Sequence, residues 1–390
     1  MIVVDVLLLV ILVIGLVGGI GRGLSGSIGL LLGLAVGGAA AIWLVPLVND
    51  ALPTQQWRPA LVLATAAALV IGGAALGAAA GSALRRGVDR VRPLRAVDRI
   101  LGGVAGVVVA ALAMSLAGAS LAATGMPIVS SAVSSSSVLR TIDRLTPPPV
   151  SAALAELRGF VSDEGLPALG DLLEAPSVDI APVDLDDPEL ARAAASVARV
   201  SGTAFACGRS STGSGFVVAP DRVVTNAHVV AGVDTPVVEL PGVAAREGRV
   251  VYFDPIDDLA VIAVDDLGVA PLPFAATLPP GSPAVVQGYP LGGPFTSLGA
   301  GVLSTGTVPV PDIYDESAAP REIYALQAAV RPGNSGGPLL TGDGAVAGVV
   351  FARAENDAQR GYAMTMAELT PVSAQAESLT QPVSSGRCVG

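Results

Sequence analysis

Arg331-Pro332-Gly333-Asn334-Ser335-Gly336-Gly337-Pro338-Leu339 is the stretch on which the reading of this chain turns. A serine acts as a nucleophile when a tight turn presents its Oγ and aims backbone N–H groups at the oxygen that becomes negative. Gly333 frees the backbone two residues before the serine. Gly336 and Gly337 let backbone and substrate approach closely. The string is far more restrictive than Gly-x-Ser-x-Gly; the competing reading is a Gly-rich surface turn.

A serine of this kind needs a base. Val224-Thr225-Asn226-Ala227-His228-Val229-Val230 contains the one histidine of the 390-residue chain, at the end of an apolar run. Taken alone, a single histidine is more often structural, and it is the serine turn that makes His228 a candidate base. The third partner is a carboxylate that orients the imidazole and stabilises its cation. Asp254-Pro255-Ile256-Asp257-Asp258-Leu259-Ala260-Val261-Ile262 places acidic residues just before a strongly apolar strand. Asp258 sits at the strand edge and fits best, with Asp257 and Asp254 as alternatives. Around these strings the chain is broken into short β-rich runs by Gly and Pro: 215–218, 237–240, 259–264, 284–287 and 346–351. That pattern predicts an all-β barrel or sandwich.

These strings resemble the trypsin-like serine protease superfamily, in the bacterial branch that includes the HtrA proteases, over about residues 197–383. The order His228, Asp258, Ser335 is that of chymotrypsin and not of subtilisins or α/β-hydrolases. The resemblance implies Ser335 as nucleophile, His228 as general base and then acid, and Asp258 as the orienting carboxylate. It places the oxyanion hole at the N–H groups of Gly333 and Ser335, and a double β-barrel around them, with His228 and Asp258 on the first barrel and Ser335 on the second. It also puts residues 349–353 along the substrate cleft. Only 55 residues follow Ser335. They are too few to finish the barrel and add a peptide-binding PDZ domain, so recognition of substrate tails by such a domain is not expected.

Cys207 and Cys388 are the two cysteines, one near each end of the expected protease domain. An even pair in an exported domain predicts a disulfide. Charge divides the molecule. Residues 1–125 hold eight Arg against four Asp, a net of +4, whereas residues 126–390 hold 14 Arg against 29 acidic residues, a net of −15. An acidic soluble half argues against nucleic acid as partner. No metal-ligand cluster and no nucleotide motif appears, so no cofactor or metal is implied.

The N-terminal part is mostly Leu, Val, Ala and Gly. Apolar stretches at about 2–20, 24–48, 60–84 and 100–124 each reach the ~20 residues needed to cross a bilayer. The first lacks a basic leading segment and has Asp5 instead, so it reads as a span and not a cleaved signal. Arg85, Arg86, Arg90, Arg92, Arg95 and Arg99 against Asp89 and Asp98 make the third loop cytoplasmic by the positive-inside rule, which sends everything after the fourth span outside. Glycines at four-residue spacing (15 and 19; 29, 33 and 37; 73, 77 and 81; 102 and 106) predict close helix packing. This part resembles the four-helix CvpA-like (colicin V production) membrane domain.

Residues 126–196 read as an extracytoplasmic connector. It comprises a Ser-rich run at 130–137, a stiff Thr146-Pro147-Pro148-Pro149 spacer, a helix over 152–161 capped by Ser151, and an irregular acidic stretch. It is either a solvated tether or a segment packed on the following domain. The whole is expected to be an all-α four-helix transmembrane domain (1–125), the connector (126–196) and a chymotrypsin-like protease (197–390). That architecture resembles the mycobacterial acid-resistance periplasmic serine protease (MarP) family, including the loop 288–295. The resemblance implies a multi-pass inner-membrane protein. Its endopeptidase would face outward and act on protein or peptide substrates of the cell envelope under acid or oxidative stress. The alternative is a secretion or envelope factor with an accessory or inactive protease-like binding domain.

Overall fold

The computed structural model describes residues 2–51, 58–88, 92–122, 136–147, 149–150, 154, 166–170, 172–173, 178, 180–207 and 209–389. The chain divides into two compact units, Ile2–Met114 and Ser115–Gly390.

The first unit is helical: α1 (Ile2–Ala51), α2 (Arg58–Val88) and the beginning of α3 (Arg92–Ala122). The first two expected spans, 2–20 and 24–48, fall on either side of a kink within α1. Fifty residues at 1.5 Å each would run about 75 Å, far beyond a ~30 Å hydrocarbon core. The element is broken at Gly23, whose φ of 71° and ψ of 171° lie outside the helical region. Asp98 on α3 stabilises the restart by accepting hydrogen bonds from Ser25 N (3.0 Å) and Ser25 Oγ (2.8 Å). The glycine stripes mark the contacts. A Cβ at Gly29 or Gly33 would strike the backbone of α2 at Gly73, Gly77 or Gly81, and one at Gly15 or Gly19 the backbone of α3 at Gly102 or Gly106. Val4–Ala40 and Arg95–Ser115 are long and apolar enough to cross a membrane.

The second unit takes the end of α3 and continues with α4 (Ser137–Leu145), which starts where Ser136 Oγ accepts Leu139 N–H. The end of the serine run is therefore a helix cap. The helix expected over 152–161 lies outside the described residues except for Leu154. Next come β1 (Ala168–Leu169) and α5 (Pro188–Ala194), the latter capped by Asp187 with Pro188 in its first turn.

The strands β2 (Val197–Ala204), β3 (Arg209–Ala219), β4 (Arg222–Thr225), β5 (Val237–Glu239), β6 (Arg246–Glu247), β7 (Arg249–Asp254) and β8 (Leu259–Ala263) form one sheet. Its order is β6-β5-β2-β3-β4-β8-β7, and a one-turn helix α6 (Ala227–Val230) follows β4. The other sheet is built from β1, β9 (Pro283–Gly288), β10 (Thr296–Pro311), β11 (Ala318–Gln327), β12 (Pro338–Leu340), β13 (Val346–Ala354) and β14 (Arg360–Thr365). Its order is β1-β13-β12-β9-β10-β11-β14, and β14 also pairs with β13, so six strands close into a ring and β1 adds outside it in parallel. Helix α7 (Met366–Gln375) follows β14.

The strands fall where the short apolar runs predict them. Their alternate residues fill three buried clusters. One lies within each sheet, and the largest joins Phe216, Val224, Leu259 and Val261 of one sheet to Ile323, Leu340, Phe351 and Met364 of the other. Leu190 and Ala193 of α5 belong to this shared core. Cys207 and Cys388 are bridged, with Cα atoms 6.6 Å apart.

Candidate active site

His228 comes from the one-turn helix after β4, a turn short enough that its N–H groups need partners from elsewhere. Asp258 supplies one: its Oδ1 accepts His228 N–H at 2.9 Å. The same carboxylate brackets the imidazole, with Nδ1 at 3.0 Å from Oδ1 and 2.8 Å from Oδ2. Nδ1 facing two acceptors must carry the proton, which leaves the Nε2 lone pair free to act as a base. Asp258 is itself locked. It is 3% exposed, adopts a left-handed φ of 54° that aspartate tolerates, and its backbone carbonyl accepts Asn226 Nδ2 at 2.8 Å.

Of the three acidic residues before β8, only Asp258 reaches His228. Asp254 instead caps its own turn, accepting Ile256 N–H, Asp257 N–H and the Tyr252 hydroxyl. Asp257 lies near Asp254 and Arg321, and burial followed by the charge of Asp254 raises its pKa above the ordinary carboxylate range.

Ser335 stands on the turn before β12, 2% exposed. Neither its Oγ nor His228 Nε2 has a hydrogen-bond partner among the described residues, and both line the same cleft of about 490 Å³. Around the serine the N–H groups alternate in use. Asn334 N donates to Arg331 O, Gly336 N to Val350 O and Gly337 N to Asn334 O, while those of Gly333 and Ser335 donate to no group among the described residues. Two free N–H groups, one on the nucleophile and one two residues before it, are what an oxyanion site needs. Gly333 has a φ of 88°, and a Cβ there would collide with Tyr289 O and Leu291 N, so glycine is required twice over.

The motif strings omit what seats this turn. Ser214 on β3 donates its N–H to Ser335 O (2.7 Å) and its hydroxyl to Gly333 O (2.7 Å), and its Oγ accepts Tyr289 N–H (2.9 Å). Its own carbonyl accepts the Thr225 hydroxyl at 2.7 Å. Its only signal in the sequence is the run of small residues Thr212-Gly213-Ser214-Gly215 entering an apolar strand. Arg321 on β11 is likewise buried in the cleft wall, its guanidinium 5.5 Å from the centre of the Phe351 ring. Burial lowers its pKa, and the charge of Asp258 opposes that shift. Of the expected cleft segment 349–353, Phe351 lines the cleft, while Val349 and Val350 are core.

Residues 213–349 match the trypsin-like peptidase domain family, and residues 4–147 match the colicin V production protein family. Serine protease Rv3671c of Mycobacterium tuberculosis is 35% identical over 311 residues, 78% of each chain. The chain belongs to the Rv3671c (MarP) family of trypsin-like serine proteases. A crystal structure of the Rv3671c protease in its active form aligns with a TM-score of 0.53 and 38% identity, covering 57% of this chain and all of that one. The putative serine protease HhoB of Synechocystis is 39% identical over 150 residues, covering 35% of this chain and 33% of its own. Within the MarP family the chain is a serine-type peptidase with a chymotrypsin-like β-rich domain, and its apolar helices together with the colicin V match point to membrane association.

Proposed function

We propose that this MarP-family protein is a membrane-anchored, extracytoplasmic serine endopeptidase working through Ser335, His228 and Asp258. The observation that carries the reading is that His228 Nδ1 is held between both oxygens of Asp258, while its unengaged Nε2 faces the cleft of the unengaged Ser335 Oγ. In the reaction Nε2 takes the hydroxyl proton as Oγ attacks the scissile carbonyl. The new oxyanion accepts the N–H groups of Gly333 and Ser335. Nε2 then returns the proton to the leaving amine, and water repeats the sequence on the acyl-enzyme. Each oxyanion donor is worth about 10²–10³ in kcat.

The domain is read as a double barrel with one barrel per sheet. The β13–β14 pairing supports the closure of one, and the Gly248 N–H to Pro236 O bond (2.7 Å) between neighbouring ends supports the other. Four membrane crossings fit α1 divided at Gly23, α2 and α3, with the arginine-rich segment 85–99, where α2 ends and α3 begins, cytoplasmic and the disulfide-bearing domain in an oxidising compartment. Protein substrates of the envelope, cleaved under acid or oxidative stress, follow from the MarP resemblance.

The test is fluorophosphonate labelling of the full chain in detergent, beside Ser335→Ala. Labelling of the parent alone supports the reading, and equal labelling of both, or of neither in a folded sample, refutes it.

A further inference from the structure

Arg199 sits inside β2 between Ala198 and Val200, both fully buried, and the reaction sequence above makes no use of it. Its fork engages two elements. Nη2 donates to Glu239 Oε2 at 2.5 Å, directly across the β2–β5 pair. Nη1 donates to Gly292 O at 3.0 Å, on the loop between β9 and β10 in the other sheet. The guanidinium also lies 6.0 Å from the centre of the Tyr289 ring, and Tyr289 in turn packs edge-on against Phe295 at 5.7 Å.

That loop backs directly on the nucleophile turn. Leu291 N–H donates to Pro332 O at 2.6 Å. It does so from a left-handed φ of 55°, followed by Gly292 at 58°. A leucine in that region is strained and persists only where its surroundings over-determine it. In a trans peptide the C=O and N–H point in opposite directions. With Pro332 O turned toward Leu291, the Gly333 N–H is turned away from that loop, and Gly333 lines the cleft. Were this peptide to rotate, a carbonyl would take the place of an oxyanion donor.

We propose that Arg199 is a positioning residue for the oxyanion site: by tying Glu239 to Gly292 O it fixes the 289–293 loop, whose Leu291 N–H sets the Pro332–Gly333 peptide. The proposal rests on the triad reading above. A lysine is no substitute here, because one ammonium pairs with Glu239 but lacks the planar fork that spans both acceptors.

The experiment measures the rate of fluorophosphonate labelling against probe concentration for the full chain in detergent, with thermal melting alongside. Arg199→Lys retains the charge pair and the melting temperature. Its maximal labelling rate is expected to fall about 10-fold or more, with the half-saturating concentration within about two-fold, as loss of part of an oxyanion site requires. A folded Arg199→Lys that labels within about two-fold of the parent overturns the proposal. So does a change confined to the half-saturating concentration. If the lysine variant does not fold, Arg199→Met combined with Glu239→Met, which removes the pair as a unit, is judged by the same two criteria. A parent that labels no better than Ser335→Ala overturns the protease reading and this proposal together.

Discussion

The Ser214 hydroxyl donates to Gly333 O and accepts from Tyr289 N–H, and its loss should be felt twice. Ser214→Ala leaves Gly333 O and Tyr289 N–H short of a partner in a fully buried place, a cost of about 1–3 kcal/mol. Denaturant unfolding of the variant should register that loss together with slower labelling; unchanged stability would mean that water or a shifted hydroxyl replaces it. Asp258→Asn should keep the fold but lower kcat about 10⁴-fold, because the amide no longer fixes the imidazole tautomer. A loss of less than about 10-fold on a peptide substrate would show that Asp258 does not orient His228.

Residues near Arg321 give a pH prediction. Burial comes first among the causes that raise the pKa values of Asp257 and Glu368; Asp254 adds to it at Asp257, the Glu322 N–H opposes it at Glu368, and Arg321 opposes it at both. A carboxyl whose folded pKa is raised binds its proton more tightly folded than unfolded, so its contribution favours the fold at low pH and is lost as pH rises from about 4 through the raised value. Asp257→Asn and Glu368→Gln should therefore raise the thermal midpoint at pH 7 relative to the parent and lose that advantage near pH 3. An equal shift at both pH values would contradict the argument. The triad candidates were legible from sequence because rare residue types stood in restrictive strings. Ser214, Arg199 and Arg321 were not, because their importance comes from which strand lies across from them, and a single sequence carries no such pairing.

At the level of elements, the strands were readable from alternation and the glycine stripes from their spacing. The connector was less so. Its short pieces carry little periodicity, yet Pro167 O accepts Arg353 N–H, Leu169 O accepts Glu355 N–H, and α5 buries Leu190 to 1% exposure. Leu190→Ala should cost about 2–5 kcal/mol by leaving a cavity in the shared core. A loss under about 0.5 kcal/mol in urea unfolding would mean that α5 is a removable appendage. The Gly23 break was legible only as the gap between the apolar stretches 2–20 and 24–48. That helix continues on either side of it depends on Asp98, 75 residues away in the chain, accepting from Ser25.

For the molecule as a whole, the Cys207–Cys388 bridge joins positions 181 residues apart. In the chain-entropy description a loop of that length is worth about 5 kcal/mol. Reduction should lower the unfolding midpoint markedly and reveal two thiols where none was titratable before; an unchanged midpoint would mean that the bridge constrains little. The same bond has a topological consequence. His228, Asp258 and Ser335 all lie inside one covalent ring. A single backbone cut anywhere between residues 208 and 387 opens that ring without releasing a fragment. Such a nicked molecule would keep its intact mass on a non-reducing gel and fall into two pieces only when reductant is added, so cleavage events in this half of the protein stay invisible to any assay that leaves the sulfurs joined.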